Sequence, residues 1–520
     1  MSAPQSSGQK PTTMKQTLTL TALLVNAMAL IAPGAFLWTT FQMNAAQLNN
    51  GASTASAMWT GLVAALILAF LTAISYAELS NIYPKAGAGS SYYFAEAALL
   101  DKEKASHRQW SRIAKVGVGW ISHLYYWIYP GIMVAFSATL IVYIFGLYGI
   151  AVAVPAKILI AFLFAGVNGY VAYRGISGST ITAVVINAVQ LVALVAFTIL
   201  AIVFRQTHPV IQYAQTVPSI LLPHNFTNII FQSTIAILLL VGFESVTALG
   251  AEAINPKKDI RKAILLSLLI QGVFAYLFEY FAANYFVGNQ MTAAGANGTT
   301  LTGFAAAASS GAPIGDMIRI MGDTMFHGSG LILVLIFAAT VVLALIGTTL
   351  ACLNTGVRVT YAMAKDKEMP SVLGFLHGKF ATPHWGVWIL VLVSAIFGAY
   401  GVLSVDNLTQ ITLASNTGTF LVYGLTNLIA LVAFTGRPGA KFLQHKLAPV
   451  MGFLANLMML FAILYLSVKG GGSTSKDAMI ALVMVAAWLV AGVVWFVTNS
   501  RRQGHVILTK QVPQGIPEKI

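Results

Sequence analysis

Charge is what this chain has least of. Only 8% of its 520 residues are charged and 58% are hydrophobic. A soluble globular domain carries roughly 25% charged residues, so that class is excluded and a polytopic membrane protein remains. Acids are the scarcer sign, 15 against 29 lysines and arginines, for a formal net charge of +14. The basic residues lie in loops between apolar runs, so membrane topology accounts for them and no nucleic-acid partner is expected. A single cysteine, Cys352, excludes an internal disulfide framework and a cysteine-built metal site. Paired acids, histidine clusters and nucleophile–base spacings are missing too. No enzyme, catalytic residue, metal or cofactor is therefore expected. The first apolar run is too long for a signal peptide and has no evident cleavage site, so it reads as a retained span.

What is present is a succession of apolar runs. They fall at about 18–42, 57–83, 116–146, 152–173, 181–204, 229–250, 263–287, 330–362, 385–404, 409–434, 447–468 and 477–498. Each is long enough to cross a hydrocarbon core of about 30 Å. The expected fold class is an all-α polytopic membrane protein with twelve transmembrane helices. With the N-terminus inside, the inner segments hold 24 lysines and arginines and the outer segments 5. Basic residues concentrate on the cytoplasmic side, so both termini are expected there, in a multi-pass protein of the plasma or inner membrane. The segment up to Lys115 after span 2 reads as a short interfacial helix. The stretch 288–329 reads as a partly helical outer cap, and Gly470-Gly471-Gly472 as a flexible outer loop.

Two spans are interrupted. Span 1 carries Ala32-Pro33-Gly34-Ala35 near its middle, and span 6 carries Gly242-Phe243-Glu244-Ser245. Proline removes a donor and clashes with the preceding turn, and a carboxylate at bilayer depth costs at least about 2.5 kcal/mol. Matched interrupted segments in two halves point to a transporter site between inverted repeats. The expected organisation is a cytoplasmic tail at 1–17 and a transporter core at 18–434 with repeats 18–204 and 229–434. Peripheral helices at 447–498 and a cytoplasmic tail at 499–520 complete it.

Three motifs stand together with these breaks. They are Gly242-Phe243-Glu244 followed by Glu252 and Asn255-Pro256; AELSNIYPKAGAGSSYYF at 77–94; and NTGVRVTYAMAKDKEMP at 354–370 with Thr382-Pro383. Together they resemble the amino acid–polyamine–organocation (APC) superfamily of transporters over residues 18–500. The resemblance implies a leucine-transporter-like fold, five-plus-five inverted repeats with broken helices 1 and 6, and alternating access. It also implies a central site between spans 1, 3, 6, 8 and 10.

A broken helix offers free N–H groups at one new end and free carbonyls at the other. A substrate carboxylate is assigned to the backbone near Gly34, Ala35 and Phe36, and an amine to carbonyls near Ile31 and from Val241 through Gly242 to Phe243. Where many members of the superfamily have Gly-x-Gly-Ile-Phe, this chain has Ala32-Pro33-Gly34-Ala35-Phe36, and Pro33 has no N–H to offer. Phe243 is a gate or a packed aromatic. Tyr126 and Tyr129 share a helical face and are pocket or packing residues; Ser415 in span 10 lies among polar neighbours that line the opposite wall.

Glu244 either carries a proton or holds a permanent hydrogen bond. Glu279 and Gln190 are grouped with Glu244 as candidate proton-coupling residues; Glu279 is read as reaching toward the outer interface, the alternative being a cavity beside span 1 or 6. Gln190 stands where several relatives place a lysine. Thr348 and Thr349 are candidate sodium ligands, since hard cations prefer oxygen, or small packing residues. Glu78, Glu252, Lys257, Arg261 and Arg358 are assigned to an inner gate.

The expected function is secondary active transport, as permease or exchanger, of amino acids or related small amino compounds, most simply neutral ones. A proton or sodium ion would drive it, and the lipid bilayer is the remaining partner. The alternatives are an amine or polyamine transporter and a non-transporting amino-acid sensor.

Overall fold

The computed structural model describes residues 17–31, 37–84, 89–102, 109–175, 180–222, 225–250, 252–295, 298–378, 380 and 382–502. Among them, eleven helices are long and apolar enough to cross a membrane, and Leu20–Ile31 is a shorter apolar helix. The first apolar run is divided between α1 (Leu20–Ile31) and α2 (Leu37–Ala46). The second lies in α3 (Met58–Ile82), which leads to the ten-residue α4 (Ser91–Leu100). Then come α5 (Gln109–Leu147), α6 (Val154–Tyr173), α7 (Thr180–Thr207) and the short α8 (Val217–Leu221).

The sixth run is broken. It begins as α9 (Phe226–Ala236) and passes through a 3-10 turn at Ile237–Leu239. It resumes as a second 3-10 stretch, Phe243–Leu249. The next span, Pro256–Phe286, is continuous. It joins α10 (Pro256–Ser267) through a π-helical stretch (Leu268–Leu277) to α11 (Phe278–Phe286).

The 288–329 stretch contains an antiparallel β-hairpin, β3 (Thr292–Ala294) with β4 (Thr300–Thr302). Two helices follow, α12 (Gly303–Ser309) and α13 (Pro313–Met325). A smaller hairpin, β1 (Leu48–Asn49) with β2 (Ala52–Ser53), lies after α2. The last spans are α14 (Gly330–Lys365), α15 (His384–Gly401), α16 (Val405–Phe434), α17 (Ala448–Lys469) and α18 (Gly472–Arg502).

Several boundaries have local causes. Proline opens α10 and α13, where its missing N–H costs nothing. Asn225 and Ser404 cap α9 and α16, their side-chain oxygens accepting from the backbone N–H three residues on. The triple glycine is not a free loop. Asn50 N–H donates to the Lys469 carbonyl (2.9 Å) and Gly51 N–H to that of Gly470 (3.1 Å). The junction of α17 and α18 is therefore stitched to the β1–β2 hairpin, and α18 starts at Gly472 itself. These backbone pairings make the segment part of the fold.

The broken span is the centre of the bundle. Its most apolar window is 100% buried, whereas that of α18 is 17% buried. One membrane side carries the basic loops and is called the basic side below; the hairpins and α12–α13 lie on the far side.

Candidate functional site

The break is built around Gly242 and Glu244. Gly242 has φ +128°, which a side chain rarely adopts, and a Cβ there would sit 2.6 Å from the Cβ of Leu30. Glycine thus lets the broken strand of span 6 press against the end of α1. Two residues later the Glu244 carboxylate turns back on the break. It accepts from the Gly242 N–H at 3.0 Å, from the Tyr423 hydroxyl at 2.8 Å and from the Tyr125 hydroxyl. These donors come from span 6 itself, from α16 and from α5. Glu244 is fully buried and hydrogen-bonded to all three.

The end of α1 is tied with equal care. Helices leave their last four carbonyls without intrahelical partners, and those of α1 are met by side chains from other helices. Gln271 Nε2 donates to the Met28 carbonyl (2.8 Å), Thr348 Oγ1 to that of Ala29 (2.6 Å) and the Tyr276 hydroxyl to that of Ile31 (2.9 Å). The Tyr129 hydroxyl lies 3.4 Å from the carbonyls of Leu30, Leu238 and Val241, so one phenol spans both breaks. Ile31 and Val241, assigned to an amine, are among the carbonyls so engaged. Gly34, Ala35 and Phe36 lie outside the described residues.

The remaining assigned residues fall into three groups. Phe243 is packed between the rings of Tyr76 and Tyr423, at 6.0 and 5.4 Å between centroids. Tyr126 is buried with its ring 3.9 Å from that of Tyr125. Ser415 is fully buried in α16, and its hydroxyl, like that of Thr412, has no hydrogen-bond partner among the described residues. The Thr348 hydroxyl donates to the span-1 carbonyl of Ala29 (2.6 Å) and the Thr349 hydroxyl back to that of Leu345 (2.6 Å).

Glu279 does not reach an interface. It is buried against a small cavity of about 10 Å³, the space open to a water centre, and Gln190, Trp38, Ile314, Ile318 and Thr340 share the wall. The helical turn carrying Glu279 faces α7 rather than the membrane edge, which its sequence position alone could not reveal.

Ion pairs link helices on the basic side. Glu252 meets Arg358 at 2.7 Å, and Glu78 meets Arg261 at 3.0 Å and His445 at 3.3 Å. Lys257 is exposed and makes no ion pair among the described residues, so it does not join this set. The start of span 1 is clamped to the exit of span 6. Thr17 and Leu18 N–H groups both donate to the Glu252 carbonyl (2.9 Å), and Ile254 N–H donates to that of Leu18 (3.0 Å). A second cluster escaped the sequence. Lys115 lies 2.7 Å from both Glu96 and Asp366 and stacks near the rings of Tyr92 and Tyr93. Burial pushes the Glu96 carboxyl up in spite of Lys115.

Other functional residues were also missed. Tyr125 was passed over because the pairing of Tyr126 with Tyr129 used a three-residue step. Tyr125 and Tyr129, four apart, share a face equally well, and their rings lie 6.4 Å apart. Tyr276, Gln271 and Tyr423 had no local signal; each is recognisable only by the distant group it meets.

A buried break in one span, packed against the end of another and held by donors from four more, belongs to a membrane transport protein. The match to known proteins agrees. The family model described as amino acid permease covers residues 16–490, and the chain belongs to that family, within the APC superfamily. It is 24% identical over 500 residues to the branched-chain amino acid permease BcaP of Bacillus subtilis (strain 168), covering 93% of this chain and 92% of the relative. It is 23% identical to the methylthioribose transporter of the same organism, over 74% of this chain and 76% of that one. Similarity to the low-affinity putrescine importer PlaP of Escherichia coli (strain K12) is 24%, over 81% of each chain. The protein is thus an integral, multi-pass membrane transporter of the amino acid permease family.

Proposed function

We propose that the protein is a secondary carrier of small neutral amino acids or related amino compounds, working by alternating access. The observation that carries this reading is the junction of Gly242 with the end of α1, where the backbone of both interrupted spans converges at the centre of the bundle. Such a junction can bind backbone-like groups of a substrate and can rearrange without breaking a continuous helix. On this reading α1 and α2 form one span. That gives twelve spans, repeats at 18–204 and 229–434, peripheral helices at 447–498, and cytoplasmic tails at 1–17 and 499–520. The basic side faces the cytoplasm, and the ion pairs of Glu78 and Glu252 close the inner mouth.

The relatives transport quite different molecules, and the site favours one end of that range. A diamine needs acceptors for two ammonium groups. Glu244, the acid at the break, already accepts from three donors, so it supports a single amine at most. The orphan hydroxyls of Thr412 and Ser415 suit a neutral polar group. The carboxylate cradle near Gly34, Ala35 and Phe36, Tyr126 as a pocket wall and Phe243 as a gate remain parts of this proposal. So does a sodium ion at Thr348 and Thr349 as the alternative to a proton.

Purified protein reconstituted in liposomes tests the reading. Uptake of a neutral amino acid, driven by a proton or a sodium gradient, is expected. Uptake of putrescine but of no amino acid would overturn it, and the gradient that works names the ion.

A further inference from the structure

Glu279 and Gln190 present an arrangement that the transport reading does not use. Both are buried, on α11 and α7 respectively. Among the described residues, Glu279 Oε2 and Gln190 Oε1 each lack a hydrogen-bond partner, and both side chains line the same cavity. Two buried acceptors face one small space, and no donor answers either of them.

Nothing nearby supplies the missing positive charge. On α7, Arg205 is spent on the carbonyls of Tyr285 and Gln215. On α13, Arg319 pairs with Asp323 at the surface, and Asp316 is held by Tyr143 and Ser310. On α14 the only charged residues, Arg358 and Lys365, lie toward the basic end, as does Glu78 on α3. Neither α2 nor α8 carries any. The Tyr280 hydroxyl, next in sequence, is engaged by Asn44 (2.7 Å).

A metal cation does not fit. Hard cations gather several oxygen ligands. Here the wall is otherwise apolar, with Leu194, Phe197, Ile314, Ile318 and Val341, and the Thr340 hydroxyl already donates to the Phe337 carbonyl. A proton needs only two oxygens. Carried on Glu279, it turns one orphan acceptor into a donor, and the other orphan, Gln190 Oε1, can take it directly or through the one water the cavity admits.

Part of the cavity wall comes from far-side elements. Ile314 and Ile318 belong to α13, and Trp38 belongs to α2, the far half of span 1. We propose that Glu279 and Gln190 form a proton-binding site roofed by α13, which must take up a proton before the far side of the transporter can seal. Closing the roof over an ionised carboxylate would strip its water and return at most one neutral amide N–H, from a turned Gln190, with no cation to pair it. Closing it over the neutral acid carries no such penalty. Far-side pH therefore biases the roof, with low pH favouring closure. Naming the far side external rests on the orientation proposed above; the proton site itself does not.

Two readouts without substrate test this, so they are independent of what the protein carries. The first is the infrared carbonyl stretch of protonated carboxylic acids in purified protein at neutral pH. A band lost in Glu279→Gln but retained in Glu244→Gln, and shifted in frequency in Gln190→Met, is the expected result. A spectrum unchanged by Glu279→Gln overturns the proposal. The second reads the roof by spin-label distance between Ala156→Cys on α6 and Thr324→Cys on α13, both exposed positions. It is made in a Cys352→Ala, Asp316→Asn background, so that neither the native thiol nor the nearby acid contributes. Raising the pH should lengthen the distance, and Glu279→Gln should hold it short at every pH. The same lengthening in Glu279→Gln would overturn the link to the roof.

Discussion

Glu244 and Glu279 are buried to the same degree, and their surroundings are opposite. Glu244 has three donors from three elements around its carboxylate. Glu279 has an oxygen with no partner and a cavity beside it. Burial alone would give them the same role. The donors separate them: a carboxylate with three donors ties the break in span 6 to two other helices. One with a vacant side is placed to exchange a proton or a water. The cost of an unanswered polar group, about 1–3 kcal/mol, is retained where it can be used.

Substitutions can break that contrast. The largest effect is expected at the junction itself. Gly242→Val forces a Cβ into Leu30 at a backbone angle that valine avoids, and should lose folded protein as well as transport. Size-exclusion profiles and uptake would both register it. The sequence alone suggests a loss of binding with folding intact; the close approach to α1 makes folding the first casualty.

Next comes Glu244→Ala, which orphans two tyrosine hydroxyls and a backbone N–H. It should lower stability by at least ~2 kcal/mol, seen as a clear fall in melting temperature. Tyr125→Phe or Tyr423→Phe should cost less, and either should cost little more once Glu244 is alanine, as contacting residues are not additive. Equal and additive losses would mean that the three do not act as one unit. By contrast Glu279→Met removes an unanswered polar group, and stability should stay within about 1 kcal/mol of the parent or rise. A fall as large as that of Glu244→Ala would erase the distinction between the two acids.

A smaller effect is expected outside the spans, at Asp316 on α13. Burial holds its carboxyl above the ordinary aspartate range, so the folded state binds its proton more tightly than the unfolded state does. Its contribution is then fully present below the ordinary range, and is lost as pH rises to the raised value. Asp316→Asn should flatten this slope in a melting-temperature titration. The smallest effect belongs to the basic side. Glu252→Ala or Arg358→Ala breaks a partly exposed pair worth at most about 1 kcal/mol. Stability should barely move, while the rate of opening toward that side, read by labelling of an introduced cysteine, should rise.

Much of this protein was decided along the chain. Scarce charge, apolar runs of spanning length, the basic loops and the glycine beside Glu244 are local signals. They are local because a bilayer constrains every residue that crosses it, and because a helix breaks where its own sequence permits. Thr348 was legible as a candidate ligand hydroxyl, but the Ala29 carbonyl it meets was not. The partners were not legible. Tyr423 lies 179 residues from Glu244 and Tyr276 245 from Ile31, and no periodicity links such pairs. Lys257 and Arg261 sit on the same basic run, yet only Arg261 finds an acid. Glu279 looks much like Glu244 in sequence. The packing of α7, α11, α13 and α14 left one acid without donors and gave the other three, because donors are delivered by whichever distant helices meet at a point, and only the tertiary structure fixes that meeting.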